Sequence, residues 1–219
     1  MSQKKKVVLL AVSCKKGGLC PGGIDLDNPS EWIRIVRDDG VAGSVQGAHI
    51  DYAEPLDIIE FEGHPVPRGI QKENWAIDHN SCRKISSISE DLIDKTYELY
   101  GYHEFWGNDR AYLTQSEMDD LAAQSTPSES LIKVSNISLY ANQYGKCKID
   151  FNWRGRRLSN ISLTDPDFYP YLTEGRILRF DAAMIVVSIP SVADFFCNGC
   201  AEGRGYKFVS KLFIEIEED

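Results

Sequence analysis

Short runs of aliphatic and β-branched residues, broken by glycine, proline and asparagine, recur along this chain and predict strands far more often than helices. Residues 5–13 hold an apolar run (Val7, Val8, Leu9, Leu10, Ala11, Val12) that suits a buried strand. Residues 32–37 and 56–61 predict the next two strands. Between residues 13 and 32 lies a stretch rich in glycine, lysine and cysteine, which predicts a long loop. Residues 41–51 are glycine-rich and read as a loop or broken strand. Ser87 with Glu90 three residues on is a capping-box pattern, which predicts a helix running through Ile93 and Tyr97 toward Gly101. A second short helix is predicted over 114–124.

Ser125-Thr126-Pro127-Ser128 interrupts the pattern, and places a boundary between domains 1–127 and 128–219. Beyond it the alternation is strong. Residues 131–141, 146–153 and 158–163 form a meander with turns at Asn142-Gln143-Tyr144-Gly145 and Arg154-Gly155. Asp165-Pro166-Asp167 ends the meander as a turn, and 176–189 and 205–216 add two long strands after a short aromatic insert. Five strands with an insert after the third match an OB-type Greek-key barrel. The first half reads the same way, so the predicted fold class is mainly β (α+β), two tandem OB-like barrels with short helices between. No repeat links the halves at the level of sequence.

Composition narrows the function. The chain has 219 residues, 42% of them hydrophobic, which is enough for a core. A net charge of −9 excludes a wholesale electrostatic grip on nucleic acid, so any basic site is local. No signal peptide or membrane span is legible and cytoplasmic location is expected, which makes the six cysteines reduced thiols or metal ligands.

The positive groups gather in three places: Lys4 to Lys6 with Lys15 and Lys16, Arg34 with Arg37, and Arg154 with Arg156 and Arg157. In the first loop, Ser13, Lys15, Lys16, Gly18 and Cys20 set amides and cations where an anion such as phosphate can sit, against the bland alternative of a solvated turn. Glu73, Asn74 and Trp75 put an acid, an amide and an indole side by side, either to read a base or sugar or as a core anchor beside a surface charge. The aromatic cluster around His103, Phe105 and Trp106 reads as packing. Cys197-x-x-Cys200 has the spacing of half a zinc site; zinc is the minority reading, against a hairpin turn with two thiols. No Walker loop, G-x-S-x-G, H-E-x-x-H or nuclease-type Asp pair is present.

Ser13, Lys15, Gly18, Cys20 and Gly22 or Gly23, then Trp32-Ile33-Arg34, Glu73-Asn74 and Thr164-Asp165-Pro166, resemble the signature of the dual OB-containing domain family of prokaryotes and their viruses. Ile35 stands where that pattern has a proline, and the Cys197–Cys200 turn is an addition. The resemblance implies two tandem OB barrels, recognition of nucleic acid or a nucleotide, and work in mobile-element conflict or defence. The leading expectation is a non-catalytic binding protein that uses Ser13, Lys15, Lys16, Gly18, Cys20, Trp32, Arg34, Glu73, Asn74, Trp75, Arg154 and Arg156. Two alternatives stand beside it: an enzyme acting on a nucleotide or modified base through Ser13, Cys20, Glu73 and Asn74, and a protein-interaction module acting as inhibitor or sensor.

Overall fold

The computed structural model describes residues 2–15, 18–37, 45–50, 52–78, 80–99, 103–190 and 203–214. Its first unit is built from β1 (Gln3–Lys15), β2 (Gly18–Asp25), β3 (Trp32–Val36), β4 (Asp57–Pro65) and β5 (Asn74–Ile77). β1 pairs with β2 on one side and β4 on the other, so the order β1-β2-β3-β5-β4 returns to β1 and closes a ring. Only the β3–β5 contact in that ring is parallel. β6 (Arg83–Ser87) adds to β4 outside the ring. Val7, Leu9, Ile33, Ile35, Ile59, Phe61 and Trp75 fill the interior, which settles Trp75 as a core residue at the start of a strand.

The long loop expected after residue 13 is a correction: most of it is β2, paired along β1. Its glycines suggested a loop, yet here they permit close approach within a sheet. A Cβ on Gly23 would run into the backbone carbonyl of Val8, and one on Gly22 into the carboxylate of Glu129. The expected Ser87 cap is a second correction. Ser87 ends β6 and donates to Asp57 Oδ1 at 2.6 Å, and a short 3-10 turn at Glu90–Leu92 leads into α1 (Ile93–Leu99). The capping box belongs instead to α2 (Gln115–Ala123), where Thr114 and Glu117 bond reciprocally, just after β7 (Tyr112–Thr114).

The second unit comprises β8 (Glu129–Ala141), β9 (Cys147–Trp153), β10 (Arg156–Leu163), β11 (Ile177–Ser188) and, after the short β12 (Arg204–Tyr206), β13 (Phe208–Phe213). It is a closed barrel, with its third strand β10 parallel to its fifth, β13. The two units therefore share one OB topology, a duplication that the sequence does not display. Phe105, Trp106, Leu113 and Met118 join the core of the second barrel. Lys207 holds the first of these segments, donating to the carbonyls of Phe105 and Asn108 at 2.9 Å each.

A third apolar cluster joins the barrels. Val8, Leu10, Ile24 and Trp32 from the first pack with Ile93 of α1 and with Leu131, Val186 and Phe213 of the second. Asp165 steadies another part of the second barrel: it caps the 3-10 helix Pro166–Tyr171 and accepts from Leu212 N at 2.9 Å. This is the strand-ending turn that the sequence pattern predicts.

Candidate functional site

OB barrels bind ligands on the outer face of their second and third strands. In the first barrel these are β2 and β3, and β3 is buried along its whole length. Alternation turns Ile33 and Ile35 into the barrel, while Trp32 and Arg34 point out, toward the second barrel. The face is covered by the ends of β8 and β11.

Arg34 is the centre of that contact, 1% exposed. Its Nη2 donates to Ser128 Oγ at 2.9 Å and Ser188 Oγ at 3.0 Å, both in the second unit, and its Nη1 to Cys20 Sγ at 3.4 Å. Two buried carboxylates flank it, Glu73 and Glu129, each 3.5 Å from a guanidinium nitrogen. Ser128 Oγ in turn donates to Glu73 Oε1. Among the described residues, Arg34 Nε, Glu73 Oε2 and Glu129 Oε2 have no hydrogen-bond partner. Burial pushes the Glu129 carboxyl up to about 7, the pull of Arg34 opposing and the charge of Glu73 adding to the rise. Burial works against the Arg34 cation as well, but Glu129, Cys20 and Glu73 outweigh it and its pKa is raised. The cluster holds one cation for two acids in a dry joint, so its electrostatics bear on how the barrels fit together.

No described residue outside the barrel seals the same face of the second barrel, β9 and β10, as the second barrel seals the first. Ile149, Phe151, Leu158 and Ile161 point inward, and Lys148, Asp150, Asn152, Arg157, Asn160 and Ser162 line the outside. At one end the β8–β9 turn raises Tyr144, 76% exposed, beside Lys146. A hollow of about 500 Å³ there is lined by Lys146, Cys147, Ser162, Thr164 and Tyr169. At the other end β9 and β10 meet in a two-residue turn, Arg154-Gly155, with φ of 47° and 77°. Positive φ at both positions is the type I′ hairpin geometry, which follows the twist of the strands and projects the flanking arginines. Arg154 lies 4.6 Å over the Trp153 ring and pairs with Glu104 at 2.9 Å, and with Arg156 they line a second hollow of about 300 Å³. Cations thus bracket the face in a chain whose net charge is −9.

The family model of the dual OB-containing domain matches residues 5–212, nearly the whole chain. The chain belongs to this family. No curated protein and no solved structure matches it. For a dual OB-containing domain the fold supports ligand or nucleic-acid binding in general terms, while the particular ligand is a matter for the site.

The residues that the sequence singled out fall into separate groups. Cys20, Arg34, Glu73 and Asn74 do come together, but beneath the second barrel; Ser13 and Trp32 are buried too. Trp75 is covered on one side by Lys5 Nζ, 4.6 Å from its ring centroid. Gly18 opens β2 and is half-buried. Lys4 and Lys5 pair with Glu60 and Asp25, at 2.8 and 2.5 Å. Arg154 and Arg156 are exposed at the β9–β10 hairpin end, where Arg156 pairs with Trp153 and lies on the Leu158 side of β10 instead of its outer face. Lys16, Cys197, Cys200 and the side chain of Lys15 lie outside the described residues. Among the described residues no group of three metal-binding side chains occurs, and no helix is long and apolar enough to cross a membrane. Sequence reasoning missed Tyr144, Lys146, Lys148 and Asp150. Their signal was available: polar residues alternate with Ile149 and Phe151 in β9, which marks an outward face once the strand is assigned.

Proposed function

We propose that this dual OB-containing protein binds single-stranded nucleic acid, without catalysis, across the outer face of β9 and β10. One observation carries the reading: of two topologically equal strand faces, the first is sealed by Arg34 and its partners, and the second is uncovered among the described residues, carries Lys148 and Arg157, and is rimmed by Lys146 and Arg154 with the exposed Tyr144 at one end. An exposed aromatic ring at the end of a groove stacks on a base, and nearby cations track the phosphates. β9 has 7 residues. At about 3.3 Å per residue it spans roughly 20 Å, room for a few nucleotides.

The enzyme reading draws on Ser13, Cys20, Glu73 and Asn74, all of them buried. Work in mobile-element conflict belongs to the proposal on family resemblance alone. The test is fluorescence anisotropy against labelled single-stranded DNA, single-stranded RNA and duplex DNA at low salt, followed by a salt titration. Single strands should bind with an affinity that falls steeply with salt, and replacing Lys146 and Arg157 together by alanine should weaken binding and flatten the salt slope by about two. An absence of binding, or binding that ignores both substitutions, overturns the proposal.

A further inference from the structure

We infer that the open face reads guanine, through Asp150 and Lys148 at the middle of β9; this rests on the binding mode proposed above. Asp150 pairs with Ser138 across β8 and sits between the inward Ile149 and Phe151, so its carboxylate stands on the outer face, its side chain 21% exposed. One oxygen is committed. Oδ1 accepts from Tyr140 Oη at 3.0 Å and from the backbone N–H of Asn160 at 2.8 Å. Asn160 has a positive φ of 60° at a bulge in β10, which turns that N–H toward β9. The other oxygen, Oδ2, meets Arg157 Nη2 only at 3.6 Å, beyond hydrogen-bond reach. The carboxylate is thus oriented by two donors and keeps an acceptor for a ligand.

Lys148 lies two residues earlier on the same face, in the row Tyr140–Lys148–Ser162 across the three strands. Its Nζ donates to Ser162 Oγ at 3.0 Å and to the Asn160 carbonyl at 3.4 Å. An ammonium has three protons, so one remains for a ligand acceptor.

A carboxylate at the centre of the face repels phosphates, which leaves them to the rim cations and turns bases toward the sheet. Base edges are what single-strand readers hydrogen-bond. Guanine alone offers two adjacent donors, N1–H and the 2-amino group, next to an acceptor, O6. The donors match Asp150 Oδ2 and the acceptor matches Lys148. Adenine and cytosine set a ring-nitrogen acceptor beside their single amino group, and thymine or uracil flanks one N–H with two carbonyls. Each of those would turn a lone pair toward the carboxylate.

The experiment measures anisotropy of short oligothymidylates carrying one central guanine, adenine, cytosine, thymine or hypoxanthine, on the wild-type chain and on Asp150→Asn. Guanine should bind roughly tenfold tighter than the other natural bases. Hypoxanthine, which keeps O6 and N1–H but lacks the 2-amino group, should fall between. Asp150→Asn keeps an acceptor for Tyr140 and Asn160, and should bring the ratio of guanine to hypoxanthine affinities, measured on the variant itself, to one. Equal affinity of the wild-type protein for every central base overturns the inference and leaves the binding mode standing. Failure of all the strands to bind removes the binding mode itself, and the guanine assignment with it.

Discussion

Replacing Glu129 by glutamine should remove a pH dependence from the stability of the inter-barrel joint. Glu129 is 2% exposed and faces Arg34 and Glu73 across a cluster completed by Cys20, Ser128 and Ser188. Its folded pKa of about 7 lies above the ordinary 4.5. The native state therefore holds a proton that the unfolded chain has released, and the associated stability is full below pH 4.5 and lost as pH rises through about 7. Two and a half pH intervals at about 1.4 kcal/mol each make the whole effect about 3–4 kcal/mol, most of it falling between pH 5 and pH 8. Urea unfolding followed by tryptophan fluorescence suits the question, because Trp32 is packed in this joint. Wild type should lose about 2–3 kcal/mol more than Glu129→Gln between those two pH values, other titrating groups contributing equally to both. Parallel pH profiles for the two proteins would refute the reasoning.

Gly22→Ala drives a Cβ into both carboxylate oxygens of Glu129, and should cost about 1–3 kcal/mol in the same unfolding assay. The penalty should shrink when Glu129 is also cut back to alanine, since residues in contact are not additive. Arg154→Asn places at φ 47° a residue that tolerates positive φ, and gives up exposed contacts: the ion pair to Glu104, a bond to the His103 carbonyl and the stacking on Trp153. Its thermal midpoint should hold or rise while affinity for single strands falls. Lys207→Met strips the donor from the carbonyls of Phe105 and Asn108 and from Asn108 Oδ1, and should lower stability by about 1–3 kcal/mol in thermal unfolding.

Strand alternation made the second barrel legible before any coordinates. Ile149 and Phe151, then Leu158 and Ile161, are spaced so that only one face of each strand can be apolar. The first barrel was harder for a local reason. In β2 the sequence Gly18-Leu19-Cys20-Pro21-Gly22-Gly23 carries turn chemistry, and what makes it a strand is distant: Val8 leaves no space over Gly23, nor Glu129 over Gly22. The Ser87 cap failed in the same way, because pairing with Asp57 across β6 and β4 outcompeted a local capping box. The site was legible as a set of residue types but not as a place. Arg34, Glu73 and Glu129 are far apart in sequence, and nothing local says that an arginine in a strand will meet two acids, one of them from another barrel.

The charge pattern explains how one fold used twice can offer a single face. Both barrels present a second and a third strand outward. In the first, Arg34 needs acceptors, and it finds Ser128 and Ser188 in the second unit together with the two acids. A buried guanidinium with partners in both barrels ties their orientation, because sliding one barrel leaves a charge unpaired in a dry joint, at a cost of several kcal/mol. Trp32 and Ile24 add apolar area on either side of that contact. Three of the stretches that carried the resemblance in the sequence, Trp32-Ile33-Arg34, Glu73-Asn74 and Thr164-Asp165-Pro166, thus fall on the joint and on the cap that braces the second barrel from Asp165 to Leu212. Such a joint holds the β9–β10 face at a fixed angle to the first barrel. Among the described residues, Lys148, Asp150 and Arg157 of the second barrel lie outside that joint.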